Sequence, residues 1–355
     1  MGCTSGSPFQ SSDSGTVGTD GVSAAETATS PDTPSAPPPA ADAVVEAVID
    51  REWKQSALAL IGAAKQDLYL FHFELHETGS VTQVRYALEA AASRGVKVRV
   101  LLDDDVDGNA AAVALLGELG IEAKLDHHST RMHLKTLLSD GAVLLGSTNL
   151  SGASIDFNHE TNVLVRDPEA VAWIRAHLDA LWADTGFVGS PTSGGSSQVT
   201  VWRDKGYEAV ALDALNQATS AIDVVVYGIN LDPKFPDGPV AHLADALYAA
   251  VDRGVPVRML LEASGWDNGL TELNEEAAGQ LVAGGVSVRF DSTDVTTHAK
   301  LVVADGTALV GSNNWSFSGL ELAHELGVAF TEPAAVLELS TWFDERWTEA
   351  TPFIP

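Results

Sequence analysis

The stretch His133-Leu134-Lys135-Thr136-Leu137-Leu138-Ser139-Asp140, with Gly146-Ser147-Thr148-Asn149 behind it, occurs twice in this chain. The second copy is His298-Ala299-Lys300-Leu301-Val302-Val303-Ala304-Asp305 with Gly311-Ser312-Asn313-Asn314. One offset, 298 minus 133 or 165 residues, relates every shared position, and it carries on to Ser151 and Ser316, His159 and His324, Glu160 and Glu325, and Trp182 and Trp347. A single His-x-Lys is noise. Two copies with matching Asp, Gly, Ser, Asn and Glu at one offset mark a duplicated unit, with a period too long for a solenoid repeat.

Each copy reads as a hairpin: an apolar strand from His133 to Ser139, an Asp140-Gly141 turn, and a strand from Ala142 to Gly146, with the second pivot at Asp305-Gly306. On a strand, residues i and i+2 share a face. The imidazole of His133 and the ammonium of Lys135 therefore point the same way, as do His298 and Lys300, while Leu134 turns to the opposite face. Asn149 and Asn314 follow the second strand of each hairpin, within reach of the same patch.

Outward from the hairpins, strands and helices alternate in both halves. In the first half, helical spacing runs from Ala43 to about Gln66. Strands are expected at Asp67–Leu75, Val96–Leu102, Ile121–Leu125 and His159–Val165, with helices at Val81–Ser93, Ala110–Leu119 and Pro168–Trp182. Residues 186–197 (GFVGSPTSGGSS) form a Gly/Ser linker. In the second half, helices are expected at Tyr207–Thr219, Val240–Asp252, Glu275–Ala283 and Ala334–Trp347, with strands at Ile222–Ile229, Val255–Leu261 and Val286–Phe290. The class is α/β, in two tandem domains, residues 43–185 and 198–355, each large enough for its own core.

The residue types suggest phosphate chemistry. Neutral imidazole is a nucleophile or base near neutral pH, and its cation is an acid. Lysine cations and amide donors suit phosphate oxygens. If the halves meet face to face, two His, two Lys and two Asn surround one phosphodiester. One His attacks phosphorus, and the other protonates the leaving alkoxide and then activates water or an alcohol acceptor. The lysines supply the positive charge, so a metal is not required, and a Lys two residues from each His disfavours one.

The paired motifs HLKTLLSD-GAVLLGSTNLS and HAKLVVAD-GTALVGSNNWS resemble the His-x-Lys-x4-Asp and Gly-Ser-x-Asn signatures of the phospholipase D superfamily, and in organisation the resemblance covers about residues 44 to 350. It implies two α/β/α-layered halves packed as a pseudo-dimer, one active site between them, a phosphohistidine intermediate and no metal or other cofactor. Carried onto this chain, it makes His133 and His298 the nucleophile and acid/base pair, with Lys135, Lys300, Asn149 and Asn314 on the phosphoryl oxygens. Ser147 and Ser312 would support the site, and Glu160 and Glu325 would orient the histidine rings. Asp140 and Asp305 would be structural. The sequence leaves open which histidine attacks; analogy with secreted bacterial members assigns it to His133.

The chain has 355 residues, 45% hydrophobic, and a formal charge of −29 from 49 acidic and 20 basic residues. Such a surface repels nucleic acid and anionic lipid at long range; together with the lack of basic stripes and a candidate lipid anchor at Cys3, the charge favours a phospholipid substrate. A nuclease acting on DNA or RNA is the alternative, and a non-catalytic binding module the third. No obligatory protein partner is expected; the internal pseudo-dimer serves as a monomer. Residues 1–42, rich in Ser, Thr, Pro and Ala with acidic but no basic residues, read as a disordered tail. Met1-Gly2-Cys3 ahead of that tether resembles the mature end of a bacterial lipoprotein, which implies an envelope or secreted location through Cys3. A cytoplasmic tail with an incidental Cys is the other reading. N-myristoylation is disfavoured by Gly6. Asp103 to Gly108 opens like a calcium loop, but its twelfth position is Ala114 and its flanks are a strand and a helix, so an EF-hand is rejected. Trp315 is expected near the cleft, His127 and His128 at its rim, and His72 in a strand.

Overall fold

The computed structural model describes residues 43–355; the expected tail and Cys3 lie outside the described residues. In the first half the order is β1 (Val45–Ile49), α1 (Glu52–Ala63), β2 (Asp67–His72), α2 (Ser80–Ser93), β3 (Lys97–Leu102), α3 (Asn109–Glu118), β4 (Glu122–Leu125), β5 (Lys135–Ser139), β6 (Ala142–Gly146), α4 (Gly152–Asp156), β7 (Thr161–Val165) and α5 (Pro168–Ala183). The second half continues with β8 (Ser193–Gly195), β9 (Val199–Arg203), α6 (Gly206–Gln217), β10 (Ile222–Val226), α7 (Pro239–Asp252), β11 (Val257–Leu261), α8 (Asn268–Ala283), β12 (Ser287–Phe290), β13 (Lys300–Ala304), β14 (Thr307–Gly311), a π turn at Ser318–Leu322, β15 (Leu326–Phe330), α9 (Pro333–Glu349) and β16 (Thr351–Pro352).

The two sheets are copies. The first runs β1-β7-β6-β5-β2-β3-β4, and the second runs β12-β11-β10-β13-β14-β15-β9 with β16 and β8 added at its ends. Strands β2, β3 and β4 are mutually parallel, as are β10, β11 and β12, joined by helical crossovers; the hairpin strands are antiparallel.

Period-two alternation decides which face each residue covers. In β2, Leu68 and Leu70 pack outward against Trp53, Ala57 and Ile61 of α1 and Val84 and Leu88 of α2. Tyr69 and Phe71 turn inward. The second half has the same outer layer, with Ala211 and Leu215 of α6, Leu243 and Leu247 of α7 and Leu281 of α8 against Val224, Val226, Met259 and Leu261.

The inner faces share one core. Leu145, Val163 and Val165 of the first sheet pack with Val310, Val328 and Phe330 of the second, and Ile174 and Leu178 of α5 and Leu339 and Phe343 of α9 close it. Burying side chains of this size contributes about 1.5–3 kcal/mol each, so separating the halves would expose a large apolar surface.

Three expectations need correction. The helical spacing after Ala43 covers a strand, β1, which pairs antiparallel with β7, and only then helix α1. Its apolar residues satisfy both periods, and strand pairing decides. The linker is not wholly loop: Ser193–Gly195 adds to the edge of the second sheet beside β9. His133 and His298 stand just ahead of strands that open at Lys135 and Lys300, since each gives its backbone N–H to the other half and not to its own sheet.

Candidate functional site

Both motifs lie at the edge of the sheets where the halves meet. The His133 N–H donates to the carbonyl of His324 at 2.9 Å, and the His298 N–H donates to that of His159 at 2.9 Å. Short parallel bridges, Met132 with His324 and His159 with Thr297, accompany these bonds. Each motif is thus stitched to the segment carrying the glutamate of the opposite half.

The side chains follow the same exchange. Nδ1 of His133 lies 2.8 Å from Oε1 of Glu325, and Nδ1 of His298 lies 3.1 Å from both carboxylate oxygens of Glu160. Both glutamates are buried, Glu160 anchored by two hydroxyls and Glu325 by one. Ser147 Oγ donates to Glu160 at 2.5 Å and Ser154 Oγ at 2.6 Å. Ser312 Oγ donates to Glu325. With Nδ1 engaged by a carboxylate, Nε2 of each ring is the nitrogen left for chemistry.

The lysines lie along the same edge. Lys135 Nζ donates to its own motif's His133 carbonyl at 2.8 Å, and Lys300 Nζ to that of His298 at 2.5 Å. Each ammonium also lies over an aromatic ring, 5.4 Å from the centroid of Phe73 and 5.1 Å from that of Tyr227. The same rings meet the histidines edge-on, Phe73 with His133 at 5.1 Å and Tyr227 with His298 at 4.8 Å. Asn149 and Asn314 follow β6 and β14, and their amide oxygens are buried without a partner.

Burial dominates the electrostatics. It pushes Lys300 down to about 7 and Lys135 down to about 8, against the pull of Glu160 and Glu325 respectively. Burial, then the charges of Lys135 and Lys300, hold His133 well below the usual imidazole range. His298 is lowered for the same reasons, with Glu160 opposing. Burial alone would raise Glu160, but His298 and Lys300 outweigh it and lower it. Burial pushes Glu325 the other way, upward, with nearby Asp204 adding to it, while Lys135, the Ser312 hydroxyl and Lys300 pull it back toward the carboxylate. Lys300 of the second motif thus acts on His133 of the first, in keeping with the exchanged carboxylates.

The tight packing behind the hairpin explains the glycines. A Cβ on Gly146 would lie 2.4 Å from the carbonyl oxygen of Thr161, and one on Gly311 2.7 Å from Trp202. Only glycine lets β6 and β14 run close enough to seat Ser147 and Ser312 on the glutamates.

Asp140 and Asp305 stand apart from this site. Asp140 accepts from the N–H groups of Lys65, Gln66 and Asp67, and Asp305 from those of Thr219, Ser220 and Ala221. They tie the hairpin turn to the loop ahead of β2 or β10. Trp315, expected beside the cleft, is fully buried in the outer core, where its Nε1–H donates to Tyr207 Oη at 2.8 Å. His72 is buried in β2. His127 and His128 are exposed.

Several positioning residues carry no motif. Asp103 accepts the Met132 N–H at 2.8 Å, and Glu262 accepts the Thr297 N–H at 2.6 Å, each just ahead of a histidine. Buried Asn109 bridges the carbonyls of Phe73 and Asp103, and Asn274 those of Tyr227 and Glu262. Asp50 and Asp204 accept the N–H groups of Glu160 and Glu325 at 2.8 and 3.3 Å. Asn109 and Asn274 lie at the repeat offset of 165, a signal that a systematic self-comparison would have found.

Two α/β repeats sharing a core thus bring to one place two histidines, each held by a carboxylate of the other half, and two buried lysines. The family model described as cardiolipin synthase, PLD-like domain, matches residues 57–182 and 211–347, and the chain belongs to this phospholipase D-like family. It is similar to a mitochondrial cardiolipin hydrolase of Homo sapiens, 32% identical over 127 residues, which are 35% of this chain and 48% of that one. It is also similar to the probable cardiolipin synthase YwiE of Bacillus subtilis (strain 168), 34% identical over 103 residues, 27% of this chain and 20% of that one. The alignment to the human relative spans about half of that protein's length. In fold it is similar to a phosphatidylserine synthase from Haemophilus influenzae Rd KW20, with a TM-score of 0.68, 12% identity and 87% coverage of both chains.

Proposed function

We propose that this protein is a metal-independent phosphodiesterase of the phospholipase D type, acting on phospholipids by hydrolysis or by transfer of the phosphatidyl group. The observation that carries the reading is the exchanged pairing of His133 with Glu325 and of His298 with Glu160. It leaves two basic Nε2 atoms and two ammonium groups for one phosphate.

In the first half-reaction, neutral His133 attacks phosphorus through Nε2, forming a P–N bond as the P–O bond to the head group breaks. His298, as the imidazolium, gives its proton to the leaving alkoxide. Lys135 and Lys300, with the amides of Asn149 and Asn314, hold the non-bridging oxygens and stabilise the charge that gathers there. In the second half-reaction, His298 takes a proton from water or an alcohol, which attacks phosphorus and releases His133. Glu325 and Glu160 keep each ring in the tautomer with Nδ1–H and stabilise its cation.

Support for a lipid substrate comes from the names of the relatives and from the charge of −29, which disfavours polyanionic nucleic acid. An envelope location through Cys3 belongs to the same reading. The test is incubation in EDTA with phosphatidylcholine vesicles and, separately, with plasmid. Choline release that is lost in His133→Ala is expected; plasmid nicking without choline release would replace this reading with a nuclease. A phosphoprotein trapped in His298→Ala and absent from His133→Ala assigns the attack to His133, and the reverse pattern assigns it to His298.

A further inference from the structure

The two halves are alike in backbone but not in what they display around the site. Strands β10, β11 and β14 end, and β13 begins, at the edge that carries His298 and Lys300, so the loops leaving that edge surround the second half of the cleft. Three of them expose four large apolar side chains: Trp266 after β11 is 70% exposed, Phe235 after β10 50%, and, both after β14, Phe317 41% and Leu322 on the π turn 56%. Phe235 and Phe317 stack, with ring centroids 5.3 Å apart and planes at 17°, and thereby join two of these loops. The Trp266 indole N–H reaches Thr296, two residues from His298. Phe317 is three residues past Asn314.

The repeat supplies a control inside the molecule. Counting from the ends of the paired strands, Trp266 corresponds to Asp107, and Phe317, at the offset of 165, corresponds to Gly152. Phe235 has no counterpart, because the loop 227–238 is longer than the loop 73–79. At the same offset Leu322 corresponds to Phe157, 68% exposed, so the halves share one apolar position, while Trp266, Phe235 and Phe317 are particular to the second half. Folding leaves them in water, where each costs free energy that burial would recover.

We propose that this aromatic rim docks the enzyme on the surface of a zwitterionic lipid bilayer. The inference rests on the phospholipid reading above and names the surface on which that substrate is met. Continuity with the cleft and charge select the occupant. Around the rim stand Asp232, Asp237, Asp267, Asp294 and Glu321 against one nearby cation, Lys234. An interfacial surface built for anionic lipid carries Lys and Arg on its polar part; this one carries the opposite sign. A second copy of the chain, also at −29, would bring like charges together. A net-neutral phosphatidylcholine surface accepts the aromatics without that repulsion, and Trp suits the headgroup region with its apolar body and polar N–H.

The test is co-sedimentation of the full chain with phosphatidylcholine vesicles and with phosphatidylglycerol vesicles at low and high salt, with thermal unfolding of every variant as a fold check. The wild type is expected to pellet with phosphatidylcholine at either salt, and less with phosphatidylglycerol at low salt. Trp266→Ser and, independently, Phe235→Ser/Phe317→Ser are expected to lower partitioning about tenfold or more. Leu337→Ser, which removes an exposed apolar side chain from α9, is expected to leave it unchanged. Wild-type protein that stays in the supernatant, folded rim variants that bind like wild type, a loss in Leu337→Ser equal to theirs, or rim-dependent dimers without vesicle binding would each overturn the proposal. Hydrolysis of the water-soluble diester bis(p-nitrophenyl) phosphate separates the two readings. A wild type that cleaves it and ignores vesicles loses only the docking surface, while one that binds vesicles and cleaves neither the soluble diester nor lipid loses the catalytic reading.

Discussion

Glu325, from the second half, holds Nδ1 of His133, from the first, at 2.8 Å, and the carboxylate is fixed from behind by Ser312. The reciprocal bond from Glu160 to His298 makes each histidine dependent on the half it does not belong to. Glu325→Gln is accordingly expected to lower kcat by about 10²- to 10⁴-fold, with a smaller effect on KM, because the amide neither fixes the tautomer nor stabilises the imidazolium. Glu160→Gln should act comparably through His298. Steady-state kinetics on a soluble phosphodiester, with circular dichroism as a fold check, measures both; wild-type kcat in either variant would refute the orienting role.

The pH dependence follows from burial. Phosphate binding needs Lys300 and Lys135 as cations, and burial has brought them to about 7 and about 8. As pH rises through these values the cations are lost, and the proton that His298 must donate is lost at lower pH because its pKa is also lowered. Accordingly, kcat/KM is expected to fall with rising pH and to have dropped well below its maximum by about pH 8. On the acid side His133 must be neutral to attack. Its lowered pKa keeps it neutral below the ordinary imidazole value, and activity should persist to pH values below 6.5. A pH profile of kcat/KM that rises through pH 8 would contradict the assignment of the lysines.

Asp140 and Asp305 should affect stability without affecting chemistry. Each accepts three backbone N–H groups, and each sits at positive φ, +46° and +52°, a conformation Asp and Asn tolerate better than most residues. Asp140→Ala is expected to cost about 1–3 kcal/mol from lost charge-assisted bonds, and Asp140→Asn less. For both carboxyls, burial would raise the pKa, but the N–H donors outweigh it and lower it. Their contribution is therefore present above the unfolded carboxyl pKa and lost as pH falls through the lower folded value. Thermal unfolding from pH 7 to pH 3 should show the gap between wild type and Asp140→Ala narrowing with acid, while kcat at pH 7 stays near wild type.

Asn274, fully buried, braces the loops behind the second half of the site. Its side chain accepts from the Ile229 N–H and donates to the carbonyls of Tyr227 and Glu262. Asn274→Ala strands three buried backbone groups and is expected to cost about 2–4 kcal/mol. Asn274→Asp should fail as well, since a carboxylate cannot donate to the two carbonyls. Chemical denaturation reads the loss, and an unchanged midpoint in Asn274→Ala would refute the brace.

Much of this molecule was legible in its sequence because duplication is a sequence property. The offset of 165 located both hairpins, both histidines, both lysines and the pair Glu160 and Glu325 without any coordinates. The run from Asp67 to Leu75 likewise reads as a strand, and the structure covers it on both faces, Leu68 and Leu70 on one and Tyr69 and Phe71 on the other. Less was legible where two periods overlap. Val45, Val48 and Ile49 fit a helix as well as a strand, and only pairing with β7 decides.

The sequence by itself determined which residues form the chemical set, because like residues at like positions in two repeats need no knowledge of space. Only the tertiary structure decided how they are shared: that Glu325 serves His133 and Glu160 serves His298, that Asp103 and Glu262 hold the backbone ahead of each histidine, and that Trp315 is core while Trp266 is exposed. The physical reason is that a repeat reports positions within one half. Carboxylate exchange, by contrast, depends on how the two inner apolar faces close on each other, and that closure is driven by non-directional burial, which leaves no local mark in the chain.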